Sequence, residues 1–305
     1  MHTVVGARLR ALHTAATVYA EHVTPGPAVV DSVEVGLLHG DARIIGPREL
    51  DIASGLPAGI DNIEHWIAAT SVLTDDAVLV PAAAARPYGS HNQERLFART
   101  SAGTAAGASM PDAVARGLLS ALGYRALTRA LRGRTHVHTV PLDSLESDAE
   151  LKFLARSAGT LKLDTELLDI GPADGTSAHV VLARAVDPTG RWFWAIGCRP
   201  RWRAAAITAL RDLLGVAQLG ADPAGGGVAV DTGDRLLTDL EPGALIVHDE
   251  RPAPLDAGAD WRDILADLRR THTDALVVPT TSPDLTEAGL QTVRVLLATI
   301  DDHAR

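Results

Sequence analysis

The residues of this sequence that could support chemistry are few, and the most suggestive lie around a run of small residues at 101–107, SAGTAAG, which includes Ser101. The glycines of this run, Gly103 and Gly107, free the backbone to approach a ligand such as a phosphate closely. The helix predicted to follow is amphipathic and its face is almost bare of acids, whereas hard divalent cations require oxygen ligands. The run is therefore either a retained ligand loop or a packing loop between helix and sheet, and the missing acids favour packing.

The other reactive side chains stand apart from one another. Asp212 lies on a predicted helix, where it is either a metal ligand or, as we favour, a solvated helix acid or a partner of the helix dipole at the N-terminus. His136 and His138 alternate as Zn²⁺ ligands on one face of a strand would, but no cysteine or third histidine stands near them in sequence. Cys198 lies in an apolar run, which is typical of a buried, inert thiol. Ser101 and the histidines form no recognisable triad pattern.

A cationic run at residues 199–203, RPRWR, contains Trp202 and also allows two interpretations. It could bind an acidic peptide or another acidic partner. The commoner situation is an amphipathic helix entry whose charges are solvated.

Hydrophobic periodicity and turn residues predict the elements that must position these side chains. Helices are predicted over residues 7–22, 60–69, 110–132, 149–159, 201–219 and 261–271. Strands are predicted over residues 32–38, 42–45, 77–81, 161–170, 179–186, 191–198, 275–279 and 291–298. This alternation indicates a mixed α/β (α+β) fold with helices packed on sheets. The chain is predicted to form a single domain over 1–305, with a flexible insertion near 221–235 that contains a triple glycine.

Composition narrows the classes of function. The chain has 305 residues, 46% of them hydrophobic, and a net charge of −10, which argues against nucleic-acid binding because such proteins need clustered lysine and arginine. A single cysteine cannot form an internal disulfide, no secretory signal is apparent at the N-terminus, and no apolar run reaches the roughly 18 residues of a membrane span. These features predict a cytoplasmic protein that binds neither nucleic acid nor membrane.

Several short segments occur in a telling order: SAGTAAG at 101–107, PDA at 111–113, GLL at 117–119, VLARAVDP at 181–188, IGC at 196–198, ALRD at 209–212, TSPDL at 281–285 and VRV at 293–295. Their joint order resembles that of the YcaO superfamily. Members of that superfamily use ATP to phosphorylate a peptide amide oxygen while making azolines, thioamides or amidines in ribosomally made peptide natural products (RiPPs). The resemblance implies YcaO-like sheets with packed helices.

The departures from that family carry most of the functional argument. Family members have two Glu-x-x-Glu-Arg helices whose carboxylates hold the Mg²⁺ ions that bridge the ATP phosphates. The resemblance places the following residues at those positions: Thr14, Thr17 and Val18 in the first helix, and Ser120, Gly123 and Tyr124 in the second. Asp212 is the one acid left near a metal-site position, and the family's Gly-Lys-Gly element and Pro-rich tail are missing, so the fold is expected to be truncated at both ends.

The resemblance therefore implies a vestigial pocket formed by Ser101, Gly103, Gly107, Ser120 and Asp212. We expect no catalytic residue, no metal and no cofactor there, although intact relatives use ATP and Mg²⁺.

Three functional hypotheses follow. The leading one is a non-catalytic YcaO-like pseudoenzyme that scaffolds or docks substrate for a catalytically intact YcaO, cyclodehydratase or dehydrogenase subunit in a homo- or hetero-oligomer. The precursor peptide is a further candidate partner. The second is a divergent enzyme on the same fold, with His91, Arg99, Ser101 and Asp212 as candidate groups. The third is a module that binds the leader segment of a precursor peptide.

Overall fold

The computed structural model describes residues 4–23, 29–31, 43–50, 63–93, 96–97, 99–145, 147–172, 175–220, 245–254 and 259–299. The described chain divides into two compact units. The first contains the described residues up to Ala121 and from Leu268 onward, and the second contains those from Leu122 to Asp267. The predicted strand at 32–38 and the predicted insertion near 221–235 lie outside the described residues, so the single-domain organisation stays a prediction.

The helices in the described ranges are α1 (Val4–His22), α2 (Ala82–Ala85), α3 (Met110–Leu131), α4 (Ala149–Thr160), α5 (Trp202–Gly220), α6 (Trp261–Arg270) and α7 (Pro283–Glu287). The strands are β1 (Val30–Asp31), β2 (Arg43–Ile44), β3 (His65–Ser71), β4 (Ala77–Pro81), β5 (Thr104–Gly107), β6 (His138–Val140), β7 (Asp164–Pro172), β8 (His179–Val186), β9 (Trp192–Arg199), β10 (Asp249–Glu250), β11 (Thr273–Pro279) and β12 (Gln291–Thr299). Short 3₁₀ turns occupy Ser90–Asn92 and Leu142–Leu145. No helix in these ranges is both long enough and apolar enough to cross a membrane.

The first unit is built on a seven-stranded sheet with the order β2-β4-β3-β11-β12-β5, in which β1 also pairs with β3. All pairs are antiparallel except β2 with β4. Small residues of α1, Ala16 and Ala20, pack with Ala106, Leu285 and Leu290 in one apolar cluster of this unit. The cluster fixes the C-terminal half of α1 against β5 and the segment before β12.

The second unit is built on a five-stranded sheet with the order β10-β6-β7-β8-β9. Strand β8, which reads HVVLARAV, is buried over its six central residues because both faces of this strand are covered. Helix α5 packs on β8 and β9 and contributes Trp202 and Leu210 to the main core of the unit. Asp148 begins α4 as an N-cap, because its carboxylate accepts the backbone N–H groups of Glu150 and Leu151.

Most predicted elements are present within a few residues of their expected bounds. The strand predicted over 179–186 and the hairpin that follows it are confirmed, with the turn closed by a 3.0 Å hydrogen bond from the Asp187 N–H to the Arg191 carbonyl. The helix predicted over 60–69 is wrong, because residues His65–Ser71 form β3. The inward side chains of this strand are Ile67, Ala69 and Ser71, a period-two pattern typical of a half-buried strand.

Candidate functional site

The small-residue run at 101–107 is only partly the loop that the sequence predicted. Residues Thr104–Gly107 are strand β5, which pairs with β12 from Gln291↔Gly107 to Arg294↔Thr104. The turn before it is closed by a 3.0 Å hydrogen bond from the Thr104 N–H to the Ser101 carbonyl, and Ser101 is half-buried. Most backbone groups of the run therefore make their hydrogen bonds within the sheet.

Gly103 explains why this turn needs a glycine. Its φ is +80°, and a Cβ built on it would lie 2.0 Å from the carbonyl oxygen of Val295. The carbonyl of Gly103 accepts a 2.9 Å hydrogen bond from the Val295 N–H. Both the backbone conformation and the close approach exclude any other residue, so here the absence of a side chain serves packing against β12.

Two further glycines, Gly107 of β5 and Gly117 of α3, also lie in close contacts. A Cβ at Gly107 would be 2.6 Å from the backbone nitrogen of Ala113, at the start of α3. A Cβ at Gly117 would be 2.7 Å from a methyl group of Val295 and 2.8 Å from the Gly103 carbonyl oxygen. The run and the first half of α3 are thus fitted to each other by contacts too close for side chains.

Ser120 meets the same turn. The backbone N–H of Gly103 donates a 3.1 Å hydrogen bond to the Ser120 Oγ. The sequence placed Gly103 and Ser120 in one pocket, and the structure brings them into contact. The Ser120 hydroxyl, at a position where the resemblance described above implies a carboxylate in relatives, thus accepts a hydrogen bond from the turn.

Gly123 is the second position on α3 at which the resemblance described above expects a carboxylate in place of the residue present. A Cβ there would lie 3.0 Å from the Cβ and 4.0 Å from the Sγ of Cys198 on β9. Cys198 is buried, and burial raises the pKa of its thiol to about 12. A glutamate at position 123 would have to displace this side chain, and the thiol itself is protonated near neutral pH.

On α1, Thr14 is exposed and the hydroxyl of Thr17 donates a 2.9 Å hydrogen bond to the carbonyl of His13 within its own helix. Val18 is 51% exposed. Neutral side chains therefore stand at each of these positions, and Thr17 is bonded locally. Asp212 lies exposed on α5 in the second unit, whereas Ser101, Gly103, Gly107 and Ser120 belong to the first.

His91 and Arg99 are the remaining candidates for a divergent active site. The His91 ring packs edge-on against His65 at 4.6 Å, and His65 bonds Asp31 at 2.9 Å. Burial, followed by the proximity of His65 and Arg86, holds the pKa of His91 below its usual range, while Asp31 opposes the shift. Arg99 is half-buried.

His136 and His138 lie at the edge of the second sheet. Their rings are parallel at 6.5 Å, the His248 ring is 4.5 Å from that of His136, and Nδ1 of His138 hydrogen-bonds the Asp249 carboxylate. Across the residues that the structure describes, no three histidine, cysteine or acidic side chains are arranged to hold a metal ion. The histidines join β6 to β10.

The cationic run at 199–203 is the start of a helix in which Trp202 is a core residue, 2% exposed. Arg203 bonds the carboxylates of Asp148 and Glu150, which lie at the start of α4. Arg211 bonds Glu150 as well. These contacts agree with the interpretation of the run as the start of a helix. Trp202 is buried and Arg203 is paired with carboxylates of α4, so neither is well placed to bind a peptide.

One buried ionic cluster was missed by sequence reasoning. Arg294 on β12 is 4% exposed and donates to the Thr100 carbonyl at 2.7 Å and to the Thr104 Oγ1 at 2.9 Å. The Glu21 carboxylate of α1 lies 3.9 Å away. The signal was a charged residue inside the otherwise apolar run VRVLL, since a charge in a buried strand needs partners.

The cavity beside this cluster is small. It measures about 10 Å³ and is bordered by Glu21, Arg86, Tyr88, Thr280 and Arg294, among others. Such a space holds about one water molecule. It is too small for a phosphate group, so the cluster serves to join α1, the turn at residue 100 and β12.

The sequence model of the family described as YcaO cyclodehydratase, ATP- and Mg²⁺-binding, matches residues 7–300. The chain belongs to the YcaO family. No curated protein sequence matches the chain.

Solved structures agree with this assignment at the level of fold. A heterocyclase in complex with substrate and cofactor is 19% identical, with a TM-score of 0.66 over 95% of this chain and 43% of that one. YcaO from Methanopyrus kandleri, bound with AMPPCP and Mg²⁺, is 18% identical, with a TM-score of 0.63 over 96% of this chain and 75% of that one. The E. coli microcin synthetase McbBCD complex with pro-MccB17 bound is 13% identical, with a TM-score of 0.53 over 77% of this chain and 63% of that one.

The heterocyclase TruD is also similar, with 18% identity and a TM-score of 0.59 over 99% of this chain. The chain spans less than half the length of TruD and of the heterocyclase solved with substrate and cofactor, 46% and 43% respectively. The structural matches confirm the predicted mixed α/β fold of YcaO type.

Proposed function

We propose that this YcaO chain is a non-catalytic subunit of a RiPP-modifying assembly, in which another subunit supplies the ATP-dependent chemistry. The observation that carries the proposal is the contact at Gly123. A metal-binding carboxylate is missing there, and the space beside the helix is filled by the buried side chain of Cys198. This position makes a packing contact, and a side chain there would require Cys198 or the helix to shift by a few tenths of an ångström.

The other positions point the same way. Magnesium takes oxygen ligands in near-octahedral geometry and is usually held through carboxylates. The chain offers the hydroxyls of Thr14, Thr17 and Ser120, of which Thr17 donates to His13 and Ser120 accepts from Gly103. Neutral hydroxyls engaged within the fold do not neutralise a triphosphate–metal complex. The residues present at these positions therefore do not fit ATP with Mg²⁺.

A role within an assembly is supported by the kinds of protein that share the fold. The related E. coli microcin synthetase is a complex of several subunits, and one of its structures has pro-MccB17 bound. A chain that keeps a YcaO fold without the metal ligands retains surfaces for a partner and for a peptide. We propose that it scaffolds the intact enzyme or docks its substrate.

The test compares the isolated chain with a reconstituted mixture. Purified protein is assayed for phosphate release from ATP with Mg²⁺, with and without the precursor peptide, and then added to an intact YcaO subunit from the same operon. We expect no phosphate release by the chain alone and a faster modification of the peptide in the mixture. Phosphate release that is lost in an Asp212→Ala variant would overturn the proposal, because that loss assigns the turnover to this chain and excludes a contaminant.

A divergent enzyme is the second candidate, and the state of His91 favours it. The lowered pKa of His91 favours its neutral imidazole, which is the form that accepts a proton. A reaction that depends on His91 would lose activity in His91→Gln but tolerate the same change at exposed His272. If neither variant affects the modification rate of the reconstituted mixture, this candidate fails.

A further inference from the structure

The edges of the two sheets differ in how they are protected. The first sheet ends in β2 and β5, of two and four residues, and the second sheet ends on one side in β10, of two residues. Short edge strands are a common protection against pairing with another chain. The other side of the second sheet ends in β9, which has eight residues.

Strand β9 has little other protection along its length, and its one charged residue, Arg199, lies at its last position. Its sequence, WFWAIGCR, contains neither proline nor lysine, and its register with β8 is continuous from Val186↔Trp192 to His179↔Arg199 without a bulge. Among the described residues, no strand pairs with its outer side. A long, regular edge strand of this kind is a template for an added strand.

The hairpin hydrogen bond shows which backbone groups line the edge. Asp187 and Arg191 form a hydrogen-bonded pair, and in an antiparallel ladder such pairs alternate with non-bonded ones. Phe193, Ala195 and Gly197 therefore direct their N–H and C=O groups to β8. The outward groups belong to Trp192, Trp194, Ile196 and Cys198. In agreement, the Cys198 carbonyl accepts a 2.7 Å hydrogen bond from the Arg199 side chain.

The side chains along this edge combine aromatic surface with positive charge. Trp192 is 41% exposed with the Arg184 guanidinium 5.7 Å from its ring centroid, and Trp194 and Ile196 on the same face are half-buried. Residues 191–201, RWFWAIGCRPR, contain three arginines and no acidic residue. An extended segment with alternating acidic and apolar residues would match both properties.

We propose that the outer edge of β9 binds an extended, acidic peptide segment as an additional β-strand. Backbone hydrogen bonds from Trp194 and Ile196 supply affinity, and alternate side chains of the peptide pack beside Trp192 and Trp194. A second copy of the chain fits less well, because the antiparallel register that pairs Trp192 with Cys198 of the other copy would place Arg191 opposite Arg199, and like charges across a strand pair are destabilising. The identification of the peptide as the precursor rests on the proposed function, whereas the edge pairing does not.

The test uses two synthetic peptides of the same length, one alternating glutamate with valine and one alternating lysine with valine. Amide hydrogen exchange of the full chain is followed by NMR with and without each peptide. We expect the glutamate peptide to slow exchange at Trp194 and Ile196 at least tenfold, while Phe193 and Ala195, already bonded to β8, change little. The lysine peptide should leave all four amides unchanged.

Charge and backbone pairing are then separated. An Arg191→Glu, Arg201→Glu double variant should weaken binding of the glutamate peptide about tenfold, and Arg156→Glu, on the exposed side of α4, is the matched control. A glutamate peptide N-methylated on the residues of one edge should lose binding, and the peptide methylated on the other edge should keep it. This pair tests the added strand without altering the protein.

Three outcomes would overturn the inference. Trp194 and Ile196 amides that are already protected in the free protein would mean that another segment of the chain covers the edge. Protection that rises with protein concentration would identify a second copy as the partner. Equal binding of both N-methylated peptides would exclude strand addition. None of these results depends on ATP turnover, so they leave the proposed function to its own experiment.

Discussion

Gly123 of helix α3 and Cys198 of strand β9 lie so close that a Cβ at position 123 would be 3.0 Å from the Cβ of Cys198. Real Cβ atoms are almost never closer than this, so the helix and the strand are joined at a point that only glycine fits without adjustment. In the YcaO family as the resemblance describes it, a carboxylate projects from this position. Here the same position has become part of a helix–sheet contact.

The first prediction concerns restoration of that carboxylate. Gly123→Glu should destabilise the protein by about 1–3 kcal/mol, because overpacking of a close contact outweighs the helix propensity gained by removing a glycine. Urea unfolding measures the change. A double-mutant cycle with Cys198→Gly should give a favourable coupling of about 0.5–3 kcal/mol. Additive effects would show that the two side chains do not compete for space.

The second prediction concerns the reactivity of the only thiol. Because burial raises the pKa of Cys198 to about 12, the nucleophilic thiolate is scarce at pH 8 and the sulfur is shielded. Iodoacetamide at pH 8 should label the native chain at least a hundredfold more slowly than the urea-unfolded chain, by intact mass. Fast labelling of the native chain would contradict the described burial and would show that the Cys198 thiol is accessible and reactive.

The third prediction concerns the buried Arg294–Glu21 pair. Arg294→Met should cost about 3–5 kcal/mol, because it removes a charge partner from Glu21, whose side chain is 10% exposed, together with the bonds to Thr100 and Thr104. Arg116→Met breaks only an exposed pair with Asp112 and should cost under about 0.5 kcal/mol. Thermal unfolding of both variants gives the comparison. Equal losses would mean that Arg294 is not anchored as described.

The sequence could predict this fold because local patterns and tertiary structure agree in most elements. The strand over His179–Val186 is rich in β-branched and apolar residues, and the helix over Ala149–Thr160 begins at an aspartate cap. The strand β3 was missed because its alanines favour a helix locally, and only its pairing with β4 and β11 overrides that preference. The contacts of Cys198 and Arg294 join residues distant in sequence, which no local pattern encodes.

The final prediction concerns Asp148, which both caps α4 and pairs with Arg203. The Arg203 guanidinium, aided by the backbone N–H groups of Leu151 and Glu150, holds the pKa of Asp148 below its ordinary value of 3.8, although partial burial opposes this. A carboxyl with a depressed folded pKa contributes stability that is fully present above the ordinary pKa. That contribution is lost as the pH falls through the lowered value.

Asn is as good an N-cap as Asp, so Asp148→Asn keeps the cap and removes only the charge pair, whereas Asp148→Ala removes both and should cost about 1 kcal/mol more. Urea unfolding between pH 2 and pH 7 should give a constant deficit for Asp148→Asn above about pH 5 that shrinks towards zero at low pH. Asp164→Asn, an exposed change on β7, controls for the lost charge alone. A deficit of Asp148→Asn at pH 7 no larger than that of Asp164→Asn would show that the pairing of the Asp148 carboxylate with Arg203 contributes nothing to stability.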